Sequence, residues 1–147
     1  MNTTRWLRAA SIIALLFAIG HTLGRPWTPA TALDAGAVVD AMKAIRFEAM
    51  GAKRTYWDFY VGFGASISVY LVAQAATLWL LGGVARREPR LARPFIVLLI
   101  ASFAAIGWIT WTNFFPLPLV LCLAVVVCLA MSLYTSRRMP DASDREP

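Results

Sequence analysis

Proton transfer near neutral pH needs groups that titrate there and lie within hydrogen-bond reach of one another. The chain offers one such set, His21, its single histidine, with the carboxylates of Glu48 and Asp58. Isomerisation is the simplest reaction an acid/base pair of this kind supports. Side chains able to orient a ligand follow the same order along the chain: the guanidiniums of Arg25 and Arg54, the rings of Tyr56, Trp57 and Tyr60, then Ser66, Tyr70 and Gln74, and finally Trp108, Trp111 and Asn113. Metal chemistry is not expected. There is no CxxC and no paired Cys/His set of metal spacing, so neither a metal nor another cofactor is called for. Cys122 and Cys128 are six residues apart, ~240° around a helix, and cannot bond to each other within one.

The elements that must position these groups are apolar helices. Pro94 to Ser136 is a run of 43 residues without a formal charge, broken near its middle by Asn113-Phe-Phe-Pro-Leu-Pro118. A bilayer core of ~30 Å takes about 20 helical residues, so the run predicts two crossings joined by a tight turn. Phe59 to Ala85 adds 27 uncharged residues, and Ala9 to Gly24 adds 16, extended by Trp6 and Leu7 with Arg5 and Arg8 reaching back to the headgroups. Ala30-Thr31-Ala32 has the look of a signal-peptidase site, but it lies about ten residues beyond the apolar stretch, so the first span is expected as a retained helix. The expectation is an all-α fold: one integral membrane domain over 1–147, a four-transmembrane-helix bundle with spans at about 6–24, 57–83, 94–113 and 117–136.

With 59% hydrophobic and 15% charged residues, and a mean hydropathy of +0.63, the chain has too little polar surface for a soluble fold. Nine basic residues (Arg5, Arg8, Arg86, Arg87, Arg90, Arg93, Arg137, Arg138, Arg145) fall on one side of the four spans, against five on the other. Lys and Arg resist translocation, which puts both termini in the cytoplasm. The net charge of +6 is then a topology signal and not the footprint of a nucleic-acid binder.

About 32 residues separate the first two spans, more than a hairpin needs. Thr28-Pro29 starts a helix and Gly51 stops one, and Val38, Met42, Ile45 and Ala49 recur at helical spacing. These predict an amphipathic outer-surface helix over about 31–50 with those four residues inward, acting either as a surface anchor or as a lid.

Polar groups in an apolar layer are costly, so their placement points to function. His21 shares a helical face with Ala10, Ala14 and Ala18, the small residues that mark close packing, and should look inward. Ser66, Tyr70, Gln74 and Thr77 lie within an arc of about 80° and are expected to face inward as well. Glu48, Arg54, Tyr56, Asp58, Tyr60 and Asn113 belong to the same outer layer, and one of Glu48, Tyr56, Asp58, Tyr60 or Asn113 is expected to meet the imidazole. Simpler roles stand beside these. Asp58 could serve only the dipole of the second helix, the aromatics an interfacial belt, and Ser66 and Thr77 their own backbone carbonyls.

Gly20-His21, the long outer segment and Tyr56-Trp57-Asp58-Phe59-Tyr60-Val61-Gly62-Phe63-Gly64 resemble the layout of a family of small bacterial four-helix integral membrane proteins of uncharacterised function. That resemblance implies fold only, and the expected location is a bacterial inner membrane. A more distant likeness, through His21, Glu48 and Asp58, is to the emopamil-binding and sigma-2 receptor group, and it implies a lipophilic pocket. The functional expectation is a small membrane protein that binds a lipophilic small molecule at the outer end of the bundle, with His21, Glu48 and Asp58 as candidate acid/base groups. The alternative is a non-catalytic accessory or structural subunit. Partners on these readings are membrane lipids, the lipophilic molecule, and either a second copy of the chain or a larger membrane protein, with no nucleic acid.

Overall fold

The structure, a computed structural model, describes residues 3–24 and 35–137. Its elements are α1 (Thr3–Leu23), α2 (Ala35–Ala44), β1 (Arg46–Ala49), β2 (Ala52–Thr55), α3 (Tyr56–Arg87), α4 (Pro89–Asn113) and α5 (Pro116–Arg137). The fold is all-α. Helices α1, α3, α4 and α5 are long and apolar enough to cross a membrane, which makes this an integral membrane protein.

The helices run beyond the uncharged stretches because helix geometry does not stop where hydrocarbon does. Thus α3 continues through Arg86 and Arg87, and α4 starts at Pro89, a residue suited to a first turn whose N–H groups have no intrahelical partner anyway. Pro94 therefore sits inside α4 rather than at its start. At the far end Phe114 turns extended while its N–H donates to the Thr110 carbonyl, and Pro116 opens α5.

By its contacts the chain divides into two compact units, Met1–Phe17 with Val72–Pro147, and Ala18–Leu71. In the first, Leu7, Ala10, Ser11 and Ala14 of α1 are buried, as are Ala75, Leu78, Gly82 and Ala85 of α3. Ser11 Oγ donates to the Ala75 carbonyl at 2.7 Å, and the Arg8 guanidinium stacks 3.4 Å from the centre of the Trp79 ring. Gly82 permits this approach, since a Cβ there would lie 3.2 Å from Arg8 Nε and 3.7 Å from Leu7 Cβ. Helices α4 and α5 pack as a hairpin, burying Ile96, Leu99, Phe103 and Gly107 on one side and Cys122, Val125, Leu129 and Ser132 on the other. Ser132 Oγ donates to the Thr3 carbonyl, Thr3 and Thr135 hydroxyls meet at 3.1 Å, and Arg93 Nη2 donates to the Ser136 carbonyl at 2.6 Å. The arginine-bearing ends of α1, α3, α4 and α5 therefore gather at one end of this unit.

The second unit holds the last turn of α1, the outer segment and the first half of α3. The helix expected over about 31–50 is shorter, since α2 ends at Ala44 and Arg46–Ala49 pairs antiparallel with Ala52–Thr55 in the register Arg46↔Thr55, Phe47↔Arg54, Glu48↔Lys53 and Ala49↔Ala52. Met50 and Gly51 make the turn with φ of 53° and 80°, the left-handed pair that a two-residue hairpin connection requires. Gly51 is thus a turn residue and not a helix stop. The pairing is held by Phe47, whose ring lies 5.0 Å from Tyr56 and 5.3 Å from Phe59. On α2 Val39 is buried and Met42 half-buried while Val38 is exposed, and beyond the helix Ile45 is exposed and Ala49, on β1, half-buried, so of the four residues expected inward Val38 and Ile45 are not. Thr28, Pro29 and Thr31 lie outside the described residues.

Candidate functional site

His21 ends α1, half-buried, and its partner is none of the five expected side chains but Ser68, whose Oγ lies 3.0 Å from Nδ1. The same oxygen is 3.0 Å from Thr22 Oγ1, and Thr22 donates to the Ala18 carbonyl at 2.8 Å. Each hydroxyl has one proton. Thr22 Oγ1 is the donor toward both the Ser68 oxygen and the Ala18 carbonyl, so Ser68 accepts from Thr22, and the proton between Ser68 and Nδ1 follows the imidazole tautomer.

The face of α3 that carries Ser68 also carries Gly64, Leu71, Ala75, Leu78, Gly82 and Ala85, all buried. The expected inward stripe is therefore displaced. Ser66 and Thr77 are exposed and donate to the carbonyls of Gly62 and Ala73, four residues back, which removes their need for a partner. Tyr70 is 71% exposed, and Gln74 alone of the four is half-buried. A spacing of alternating fours and threes from Gly64 to Ala85 was the available signal, and polarity drew attention to the wrong face.

Asp58 is occupied locally. Thr55 N donates to Asp58 Oδ2 at 2.8 Å and Asp58 N donates to Thr55 Oγ1 at 3.1 Å, the reciprocal capping box that starts α3. Glu48 is exposed on β1 opposite Lys53, and the Arg54 Nη1 donates to the Lys53 carbonyl at 2.9 Å. Trp57 lies against Tyr60 at 5.5 Å and under the Lys43 ammonium at 5.0 Å. Arg25 lies outside the described residues. In the first unit Trp108 and Trp111 are exposed, and Asn113 Nδ2 donates to the Ile109 carbonyl and to Thr112 Oγ1. Among the described residues no group of three His, Cys, Asp or Glu side chains converges in the way a metal would need.

Three of the expected site residues do come together. Arg54, Asp58 and Ser66 line an open hollow of about 280 Å³ with Phe59, Gly62 and Phe63. The last three were not expected in the site, although 58, 62 and 66, like 59 and 63, stand four apart and so share a helical face. Phe59 and Phe63 meet edge to face at 5.9 Å, and no atom lies within 4 Å of where a Gly62 Cβ would be.

Compared with protein-family models, with curated proteins and with solved structures, the chain matches none. Its class is accordingly the one its own helices define, an all-α integral membrane protein, and the likenesses noted from Gly20-His21 and the Tyr56–Gly64 run rest on those residues alone.

Proposed function

We propose that this protein binds a lipophilic small molecule at the end of α3 that carries the β-hairpin. The observation that carries the reading is the hollow, in which the charges of Arg54 and Asp58 stand beside Phe59, Gly62, Phe63 and a Ser66 whose hydroxyl is already bonded. Binding, without a chemical step, is what these residues support. The imidazole of His21 has a hydroxyl partner, which suits positioning more than proton transfer, and the Asp58 carboxylate is tied to the start of α3. The accessory-subunit reading needs a small-residue face for a partner, and the one on α1, Ala10, Ala14 and Ala18, is already buried within the chain.

The same proposal places the chain in a bacterial inner membrane with both termini cytoplasmic and the hairpin outside. The gathering of Arg8, Arg86, Arg87, Arg90 and Arg93 at one end of the first unit is the support, since that end is the one cytoplasmic retention would select. The test of binding is organic extraction of the purified protein followed by mass spectrometry. A lipophilic species in near-stoichiometric amount is expected from the wild type and is lost in Gly62→Leu, whose side chain projects into the hollow. Wild-type protein that carries no such species, and binds no added lipophilic probe, refutes the reading.

A further inference from the structure

We infer that the occupant of the hollow is a zwitterionic phospholipid with a primary ammonium headgroup, its phosphate on Arg54, its ammonium on Asp58 and an acyl chain laid over Gly62 alongside the Phe59 and Phe63 rings. The inference rests on the binding reading above and names its ligand class. The charged residues lining the hollow are one cation and one anion, four positions apart at the hairpin end. The rest of the wall is two phenyl rings, a glycine and a hydroxyl spent on the Gly62 carbonyl. A wall that is charged at one end and apolar along the remainder matches a molecule built the same way.

The charged end has capacity to spare. Asp58 uses Oδ2 for the Thr55 N–H, and a carboxylate has a second oxygen able to accept. Arg54 uses Nη1 for the Lys53 carbonyl, and a guanidinium has further N–H donors suited to phosphate. Sign decides among amphiphiles: an anionic lipid meets the Asp58 carboxylate, a cationic one meets Arg54, and a sterol, with one neutral hydroxyl, has no charge to pair with either. A zwitterion satisfies both, and a primary ammonium donates hydrogen bonds to Asp58 where a trimethylated one cannot.

Depth agrees with this assignment. The hollow occupies the first turns of a helix apolar enough to span a membrane, level with Tyr56, Trp57 and Tyr60, the residue types that settle at headgroup height. From Asp58 to Ser66 the helix descends ~12 Å, from headgroup to upper acyl chain. Gly62 fits the same account. Glycine in a helix interior is destabilising. At Gly82 and Gly107 it is matched by close neighbours, Arg8 and Leu7 in one case and Cys122 in the other, whereas at Gly62, as at Gly20, Gly36 and Gly83, the space is open, and of these Gly62 lines the hollow.

The experiment is native mass spectrometry of the full chain released from detergent after incubation with equal amounts of phosphatidylethanolamine, phosphatidylcholine, phosphatidylglycerol and diacylglycerol bearing identical acyl chains. Wild type should retain phosphatidylethanolamine about fivefold over each of the others, the size of a favourable exposed ion pair. Arg54→Gln, at an exposed position, should bring phosphatidylethanolamine down to the diacylglycerol level. Gly62→Leu, which adds a helix-favouring side chain where nothing clashes, should remove every adduct while circular dichroism stays unchanged. Equal retention of all four lipids, abolished by Gly62→Leu, overturns the headgroup assignment and leaves the binding reading intact, as does a preference for phosphatidylglycerol. Adducts indifferent to Gly62→Leu overturn both. A dimer of the chain that Gly62→Leu dissociates replaces the lipid with a second copy.

Discussion

At the scale of single residues, the two groups best suited to proton chemistry are each held by a hydroxyl. The imidazole of His21 meets Ser68, and the carboxylate and amide of Asp58 meet Thr55 in both directions. The first pairing predicts a coupling. Ser68→Ala should shift the nitrogen NMR resonance of His21 Nδ1 and lower stability by about 1 to 3 kcal/mol, the range for a polar group left without its partner. The second predicts that Thr55→Ala costs about 1 kcal/mol, with amide exchange quickened in the first turn of α3, while Thr55→Ser restores most of it. A Thr55 substitution without effect on those amides would contradict the cap.

At the scale of elements, the hairpin replaces the last turns of an expected helix. Its turn sets Met50 at φ 53° and Gly51 at φ 80°, and Met50 is fully exposed. A side chain with a Cβ in the left-handed region costs about 1 kcal/mol unless it is Asn or Asp. Met50→Asn should therefore slow exchange of the hairpin amides, a gain of about 0.5 to 1 kcal/mol, and Gly51→Ala should speed it by a similar amount. Between α4 and α5 the limit is set by contact, because a Cβ at Gly107 would already touch Cys122 Cβ at 3.6 Å and Leu119 Cδ1 at 3.8 Å. Gly107→Leu has nowhere to place its remaining carbons and should cost about 1 to 3 kcal/mol of thermal stability in detergent.

At the scale of the whole molecule, charge and apolar length act together. Four apolar helices require alternating crossings, so the segment before α3 and the junction between α3 and α4 fall on opposite sides of a membrane. Single cysteines at Asp40 and Glu88, placed in a background lacking Cys122 and Cys128, should be labelled by an impermeant maleimide from opposite faces, position 40 from outside. Labelling of both from one side would refute the topology. Both native thiols are buried within α5, so their removal is best made to alanine or valine.

The number, type and approximate length of the spanning helices were legible in the sequence because they depend on one-dimensional quantities: how many residues pass without a charge, and where Pro interrupts them. The face shared by Asp58, Phe59, Gly62, Phe63 and Ser66 was equally open to reading, since a helix turns by a constant angle per residue. Which face of α3 turns inward was not. Burial of Gly64 and Leu71, with Ser68 half-buried between them, in place of Ser66 and Tyr70 depends on what lies opposite and on hydroxyls satisfied by their own helix, and neither is a property of the stripe itself. The same holds for Arg46–Thr55, where Phe47 reaches Tyr56 and Phe59 only once the chain has folded back, so local helical spacing lost to a contact between residues nine and twelve positions apart.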